Sequence, residues 1–119
     1  MTGATESGGE VWAVARVKLH EGKLEDFKRA AARCQERTRA EDTGTLRYEI
    51  YLNADESECV LIEGYRDVDA LIEHNANLGD LLPAMLGTGS VSAELLGHFS
   101  DEFKQRWQGE PVRFLDAFA

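Results

Sequence analysis

Hydrophobic and polar residues alternate along several stretches of this chain, and alternation of this kind predicts β-strands. The first stretch, Val11–Leu19, is unusual because it is apolar on both faces. One face carries Val11, Ala13, Ala15, Val17 and Leu19, and the other carries Trp12 and Val14. A strand that is apolar on both faces is covered on both. Since one layer of helices covers only one face of a sheet, the pattern predicts a second covering surface.

Apolar residues at steps of three and four predict two longer helices. The first runs from Lys23 to about Ala40, with the apolar stripe Leu24, Phe27, Ala31, Cys34 and Thr38. The second follows Asp67, a good N-cap residue, and carries along one side Ala70, Leu71, His74, Asn75 and Leu78. This spacing places His74 on the side of its helix that faces the sheet.

The order of the elements predicts the fold class. The remaining strands are Thr45–Leu52, Glu58–Arg66, Ser90–Phe99 and Val112–Phe118, and the shorter helices are Asp80–Leu86 and one that Ser100 caps. The order strand, helix, strand, strand, helix, strand is the split βαβ, ferredoxin-like arrangement. We therefore expect an α+β protein with an antiparallel sheet and helices on one face. The bare face is too apolar for water, so we expect it to pack on a second copy in a homodimer.

The two ends of the chain differ from this central part. Residues 1–9 are rich in Gly, Ser and Thr and predict a disordered tail, which leaves residues 10–119 as a single ferredoxin-like domain. The C-terminal extension, about residues 100–119, adds a helix and a strand. It contains Phe103, Trp107, Phe114, Leu115 and Phe118, whose apolar side chains must be buried. We expect the extension to lengthen or cap the fold, on its own subunit or swapped onto the partner.

The composition excludes several classes of partner. The chain of 119 residues has a net charge of −9, whereas nucleic-acid binding needs clustered Lys and Arg. It has no apolar run near the ~20 residues that span a bilayer, and its start lacks the features of a signal peptide. We therefore expect a cytoplasmic protein that binds neither nucleic acid nor membrane. In that compartment Cys34 and Cys59 are reduced, buried thiols.

The chain contains no strong catalytic or metal-binding motif. His20, His74 and His98 lie far apart in different elements, so the sequence predicts no metal site. His74 has two interpretations. It is either a core histidine that hydrogen-bonds a carbonyl or Glu63, or a general base or donor in a pocket between the second helix and the sheet. Glu63 lies in an apolar strand and needs a partner if it is buried.

Several other residues are candidates for the same pocket. Tyr48 and Tyr65 lie on strand faces, where packing in the core or an interface is the common alternative to contact with a substrate. Trp12 and Arg16 share the second face of the first strand, and they either bind substrate or pack in the dimer interface. Asn77 lies near the end of its helix, where it either contacts substrate or satisfies the last carbonyl groups.

Three segments of the chain share their order and spacing with a known family. They are Val11 to Leu19 followed by Glu21-Gly22-Lys23, then Gly44-Thr45-Leu46-Arg47-Tyr48-Glu49, and then Glu63-Gly64-Tyr65 followed by Asp69-Ala70-Leu71 and His74. This order resembles the antibiotic biosynthesis monooxygenase family, in which the last segment reads Glu, any residue, aromatic, then Ala-Leu and His. The resemblance covers about residues 10–98.

The resemblance implies a dimeric α/β barrel. In some members it implies oxidation of polycyclic aromatic phenols or quinols by molecular oxygen, without a bound cofactor. By this resemblance His74 is the base, oriented by Glu63, and Tyr48 and Tyr65 contact a small aromatic substrate.

Two alternatives to the oxygenase remain open. One is a non-catalytic dimeric module that binds a small ligand, and the other is haem binding with His74 as the axial ligand. Catalytic members of the family carry Asn and Trp on the third strand, where this chain has Leu61 and Tyr65. The haem-degrading branch carries Asn on the first strand, where this chain has Ala15.

Overall fold

Five strands and four helices form in residues 9–118, the part of the chain that this computed structural model describes. Eight of the nine residues in the predicted disordered tail, 1–8, lie outside that part. In chain order the elements are β1 Val11–Leu19, α1 Leu24–Glu41, β2 Thr45–Leu52, β3 Glu58–Tyr65, α2 Val68–Leu78, α3 Leu81–Leu86, β4 Gly89–Leu96, α4 Asp101–Gln105 and β5 Val112–Leu115. None of these helices is long and apolar enough to cross a membrane.

The strands form one sheet in the order β2-β3-β1-β4-β5, with helices on one face. Its first four strands pair antiparallel, as the ferredoxin-like prediction requires. The added fifth strand makes the sheet mixed, because β5 pairs parallel to β4. The reason is the connection between them. Because α4 lies between β4 and β5, the chain crosses back and enters β5 in the same direction as β4.

The core lies between the inner face of the sheet and the helices. β1 is the central strand, and its residues Val11, Ala13, Ala15 and Val17 are buried, as the alternation predicts. The stripe of α1 is buried at Phe27, Ala31, Cys34 and Thr38. Cys34 and Cys59 are free and buried, also as predicted.

One prediction about β2 is wrong. Regular alternation places Leu46 on the buried face with Tyr48, but Leu46 is 49% exposed. The pairing with β3 is irregular between Thr45 and Arg47, so Leu46 is the extra residue of a β-bulge. The bulge turns Thr45, rather than Leu46, toward the interior.

The outer face of the sheet carries no helix among residues 9–118. It presents partly buried apolar side chains from three strands, namely Trp12 and Val14, Val60 and Ile62, and Leu96. The ring of Trp12 lies directly over Gly64, where an added Cβ would come within 2.5 Å of it. The strand that the sequence shows as apolar on both faces therefore has one face covered by its own chain and one face open.

The C-terminal extension packs on the same chain. Phe103 is buried, stacks on Phe99 with ring centroids 5.1 Å apart, and meets the ring of Phe114 edge-on. Two predicted strand ends are too long, since β4 stops at Leu96 and β5 stops at Leu115. Gly97, with φ +131, ends β4, and Phe118 beyond β5 is fully exposed.

Truncating Phe103 tests this packing. Phe103→Ala removes a buried ring from the cluster and should destabilise the protein by about 3–5 kcal/mol in urea unfolding. Phe118→Ala is the matched control and should change stability by less than about 0.5 kcal/mol, because its ring is exposed. Equal effects of the two substitutions would contradict the packing described.

Candidate functional site: a buried aspartate–histidine pair beside an apolar cavity

His74 and Asp42 form a buried pair between α2 and the end of α1. His74 Nδ1 lies 2.7 Å from Asp42 Oδ2, and each side chain is only 2% exposed. Two further groups donate hydrogen bonds to the same carboxylate, the Thr45 hydroxyl at 2.6 Å and the Asn77 side-chain amide at 2.8 Å. The pair is therefore fixed by residues from α1, β2 and α2 together.

Local sequence explains how these elements come so close. The side chain of Asp67 accepts a hydrogen bond from the amide of Ala70, which starts α2 at the end of β3. An added Cβ at Gly44 would lie 2.6 Å from the Ala70 side chain. Because Gly44 has no side chain, α2 approaches the turn before β2 closely enough for His74 to reach Asp42.

The hydrogen bonds around Asp42 determine which ring nitrogen of His74 carries the hydrogen. Burial raises the pKa of the Asp42 carboxyl, but the hydrogen bonds from Asn77, Thr45 and His74 outweigh this and leave the pKa below its ordinary value. Asp42 is thus an anion that only accepts hydrogen bonds. His74 Nδ1 must carry the hydrogen, so in the neutral ring Nε2 has the free lone pair and can accept a proton.

Glu63 and Tyr65 form a second polar pair on β3. The Tyr65 hydroxyl donates to Glu63 Oε1 at 2.5 Å. Burial raises the pKa of Glu63, and the hydrogen bond from Tyr65 and the charge of His74 only partly offset it. Burial is the main reason that the pKa of Tyr65 is raised. A Glu63 carboxyl with a raised pKa keeps its proton to a higher pH than an ordinary glutamate, and in its protonated form it can donate that proton.

Two tyrosine rings flank the imidazole of His74. Its ring centroid lies 4.8 Å from that of Tyr48 and 5.3 Å from that of Tyr65. The Tyr48 hydroxyl is enclosed and has no hydrogen-bond partner of ordinary geometry in residues 9–118. Burial is the main reason that its pKa is raised. Tyr48 thus offers its ring, rather than its hydroxyl, to the space beside His74.

An apolar cavity of about 320 Å³ lies beside this cluster, between the sheet and the helices. Its volume is at the lower end of the range for small-molecule sites. Tyr48, Glu63 and His74 line it together with small or aliphatic residues of β1, β3, β4, α2 and α3. Trp107 and Glu110–Val112 of the C-terminal extension complete the wall. A weakly polar ligand here would meet His74 and Glu63, the polar side chains of Asn75 and Glu110, and otherwise apolar surface.

The structure brings together only some of the residues predicted for the site. Tyr65 and Asn77 do not line the cavity; they hold Glu63 and Asp42. Trp12 and Arg16 are not brought to it either. Their side chains leave the opposite face of β1 from Ala13 and Ala15, which do line it.

The prediction that Glu63 orients His74 is wrong, because the partner of His74 is Asp42. In the sequence Asp42 belongs to the turn that ends the first helix, so it carries no periodic signal. The only signal for Asp42 in the sequence was that it is a carboxylate placed directly after a helix and before a strand that was predicted to lie near His74. No cluster of three His, Cys, Asp or Glu side chains in residues 9–118 could hold a metal ion.

Fold and site together describe a ferredoxin-like protein with an acid–base cluster beside a largely apolar cavity. The chain belongs to the antibiotic biosynthesis monooxygenase family, whose family model matches residues 11–79, more than half of the chain. No curated protein matches the sequence significantly.

Solved structures share the fold. MupZ from Pseudomonas fluorescens is 22% identical and covers 94% of this chain and 93% of its own, with a TM-score of 0.80. SnoaB, a cofactor-independent oxygenase from Streptomyces nogalater, is 23% identical over 78% of this chain and 96% of its own, with a TM-score of 0.64. Rv0793 from Mycobacterium tuberculosis is 26% identical over 78% of this chain and 98% of its own, with a TM-score of 0.66.

The raised pKa of Glu63 leads to a pH-dependent prediction. Below the unfolded value of about 4.3 the carboxyl is protonated in both states. As the pH rises toward and through the folded pKa, the unfolded state ionises more readily and stability is lost. Glu63→Gln keeps an acceptor for Tyr65 and cannot ionise. Its melting temperature should exceed that of the wild type near pH 8 and lose this advantage near pH 4.

Asp55→Asn, in the loop between β2 and β3, is the matched control. Hydrogen bonds from the hydroxyl and amide of Ser57 lower the pKa of Asp55. Its contribution is present above the unfolded pKa and is lost as the pH falls through the folded pKa, which is the opposite sign. The shift in melting temperature should be small, since Asp55 is a surface group. If Glu63→Gln gave no pH-dependent gain, Glu63 would not be a buried acid.

Proposed function

We propose that this protein is a cofactor-independent monooxygenase that oxidises an aromatic phenol or quinol with molecular oxygen. The observation that carries the proposal is the His74–Asp42 pair, which presents a basic nitrogen at the wall of an apolar cavity. Family membership agrees with it, and SnoaB, of the same fold, is a cofactor-independent oxygenase. The substrate itself supplies the electrons in such chemistry, so the protein has to supply a base, an acid and a dry cavity.

The first step is deprotonation of the substrate. His74 Nε2 accepts the proton of a ring hydroxyl or an equally acidic ring C–H group. The imidazolium that forms stays beside the Asp42 carboxylate, which stabilises its charge as in other acid–base pairs. The apolar wall leaves the new substrate anion poorly solvated, and a poorly solvated, electron-rich anion gives up electrons readily.

The second step forms the bond to oxygen. For a ring CH₂ group the overall change is CH₂ plus O₂ to C=O plus H₂O. The substrate carbanion reduces O₂ and binds it as a peroxide, which Glu63 protonates. Glu63 then recovers a proton from the second C–H bond as the O–O bond breaks. The departing hydroxide takes the proton held on His74 and leaves as water, so both groups return to their starting states.

Replacing His74 tests the base. His74→Asn keeps a donor near the position of Nδ1 for Asp42 but removes the basic Nε2. Oxygen uptake with a panel of anthrones and quinols should fall by about 100-fold or more, as loss of a general base does. The rate is corrected for spontaneous oxidation and expressed per folded molecule.

His98→Asn is the matched control, because His98 is exposed and does not line the cavity. It should leave oxygen uptake unchanged. If His74→Asn lowered only the melting temperature and left turnover intact, His74 would be a core residue. If the wild type bound the ring compounds without taking up oxygen, the protein would be a binding module. A Soret band in the purified protein would favour haem.

We further propose that the active form is a homodimer formed through the open face of the sheet. That face carries Trp12, Val14, Val60, Ile62 and Leu96, and no helix of residues 9–118 covers it. Light scattering after size exclusion should give about twice 13.2 kDa. Val14→Glu should shift the protein toward monomer by placing a charge in an apolar interface. A stable wild-type monomer at micromolar concentration would refute the dimer.

A further inference from the structure

The C-terminal extension forms part of the cavity wall. Trp107, Glu110, Pro111 and Val112 line the cavity opposite the strands and helices of the ferredoxin-like core. They lie outside residues 11–79, the part that matches the family model. The MupZ alignment spans nearly all of this chain, whereas SnoaB is almost fully aligned yet covers a smaller part of it. This wall is therefore built by a part of the chain that lies outside the matched family region.

Several contacts fix the wall in position. The amide of Glu110 donates to the carbonyl of Trp107 at 3.0 Å, and Val112 pairs with Ala93 of β4. Gly109, with φ +88, makes the tight reversal that a residue with a side chain adopts only with strain. Trp107 lines the cavity, and its indole Nε1–H is enclosed with no hydrogen-bond partner in residues 9–118. Glu110 is exposed and lies at the mouth.

The charges around the cavity all have one sign. Glu63 and Glu110 are the acidic residues in its lining, and no Lys or Arg within the described chain lines it. Burial raises the pKa of Glu63, so it ionises less readily than an ordinary carboxyl. Glu110 is exposed at the cavity wall, and it is the carboxylate that a ligand passes on entering. An anionic ligand would have to leave water, pass this charge and find no cation inside.

We propose that Glu110 makes the cavity selective for uncharged aromatic ligands over anionic ones. Selectivity for the neutral form suits the chemistry proposed above, on which this inference rests. A substrate that enters uncharged keeps its acidic proton until it reaches His74. The ionisation then takes place inside the cavity, beside the residue that accepts the proton. Substrates with a carboxylate, sulfonate or phosphate group are excluded.

Reversing the charge of Glu110 tests the proposal through binding alone. Anthraquinone and anthraquinone sulfonate are the probes, and equilibrium dialysis at low salt measures their affinities. The wild type should bind anthraquinone at least about 10-fold more tightly than the sulfonate. Glu110→Arg should raise the affinity for the sulfonate by about 5-fold or more and change that for anthraquinone by less than about 2-fold. The gain should shrink at high salt, because an exposed charge is screened.

Glu102→Arg is the matched control, since it makes the same change of charge at an exposed position of α4 that does not line the cavity. It should leave both affinities unchanged. An equal gain in Glu102→Arg would assign the effect to net charge and overturn the role of Glu110. Equal wild-type affinities for the two probes, or no binding of anthraquinone, would also overturn the proposal. Because no turnover is measured, failure of oxygen uptake alone leaves the selectivity standing.

Discussion

The inner face of the central strand β1 is the constraint on which both the core and the cavity depend. Val11 and Val17 anchor its two ends against the buried clusters, whereas Ala13 and Ala15 occupy its middle. Protein interiors are normally filled to the density of organic crystals. Ala13 and Ala15 lie on the same face of the central strand, and Ala15 is paired with Ala93 of β4. Together these small side chains leave a space that the helices do not fill. The cavity is therefore a consequence of small residues where a larger side chain would have packed.

The pKa values of the two acidic side chains near His74 shift in opposite directions, although both side chains are buried. Asp42 remains ionised because His74, Thr45 and Asn77 all donate to it, so its charge is fully hydrogen-bonded. Glu63 has one donor, Tyr65, and burial dominates its ionisation. The pKa of Asp42 is lowered and that of Glu63 is raised, so the environment separates the anion that supports the base from the carboxyl that keeps its proton more readily. The unfavourable burial of Glu63 reduces stability, which is a common feature of functional sites.

Periodicity was sufficient to predict most of the fold and half of the site. It predicted the central strand, both long helices, and the inward direction of His74 and Glu63, because burial imposes a repeat on consecutive residues. It failed where a single residue departs from the repeat. Leu46 bulges out of β2, and Asp42 acts from a turn that has no repeat at all. Pairing direction is not contained in the pattern either, so the parallel contact of β5 with β4 was missed.

The prediction that the apolar residues of the C-terminal extension are buried is wrong for Leu115 and Phe118, which are exposed, and the part that holds does not reveal the functional residue. The aromatic residues of the extension predict burial, and Phe103 and Phe114 are indeed packed against Phe99. Phe103 precedes the turn at Gly109 and Phe114 follows it, so the packing of these two rings fixes the position of the turn. The turn then places Glu110 in the wall of the cavity. Glu110 has no apolar pattern of its own and resembles any surface acid in the sequence. The packing of Phe99, Phe103 and Phe114 sets the position of Glu110. The residues that stabilise the extension therefore also determine which charged group a ligand contacts first.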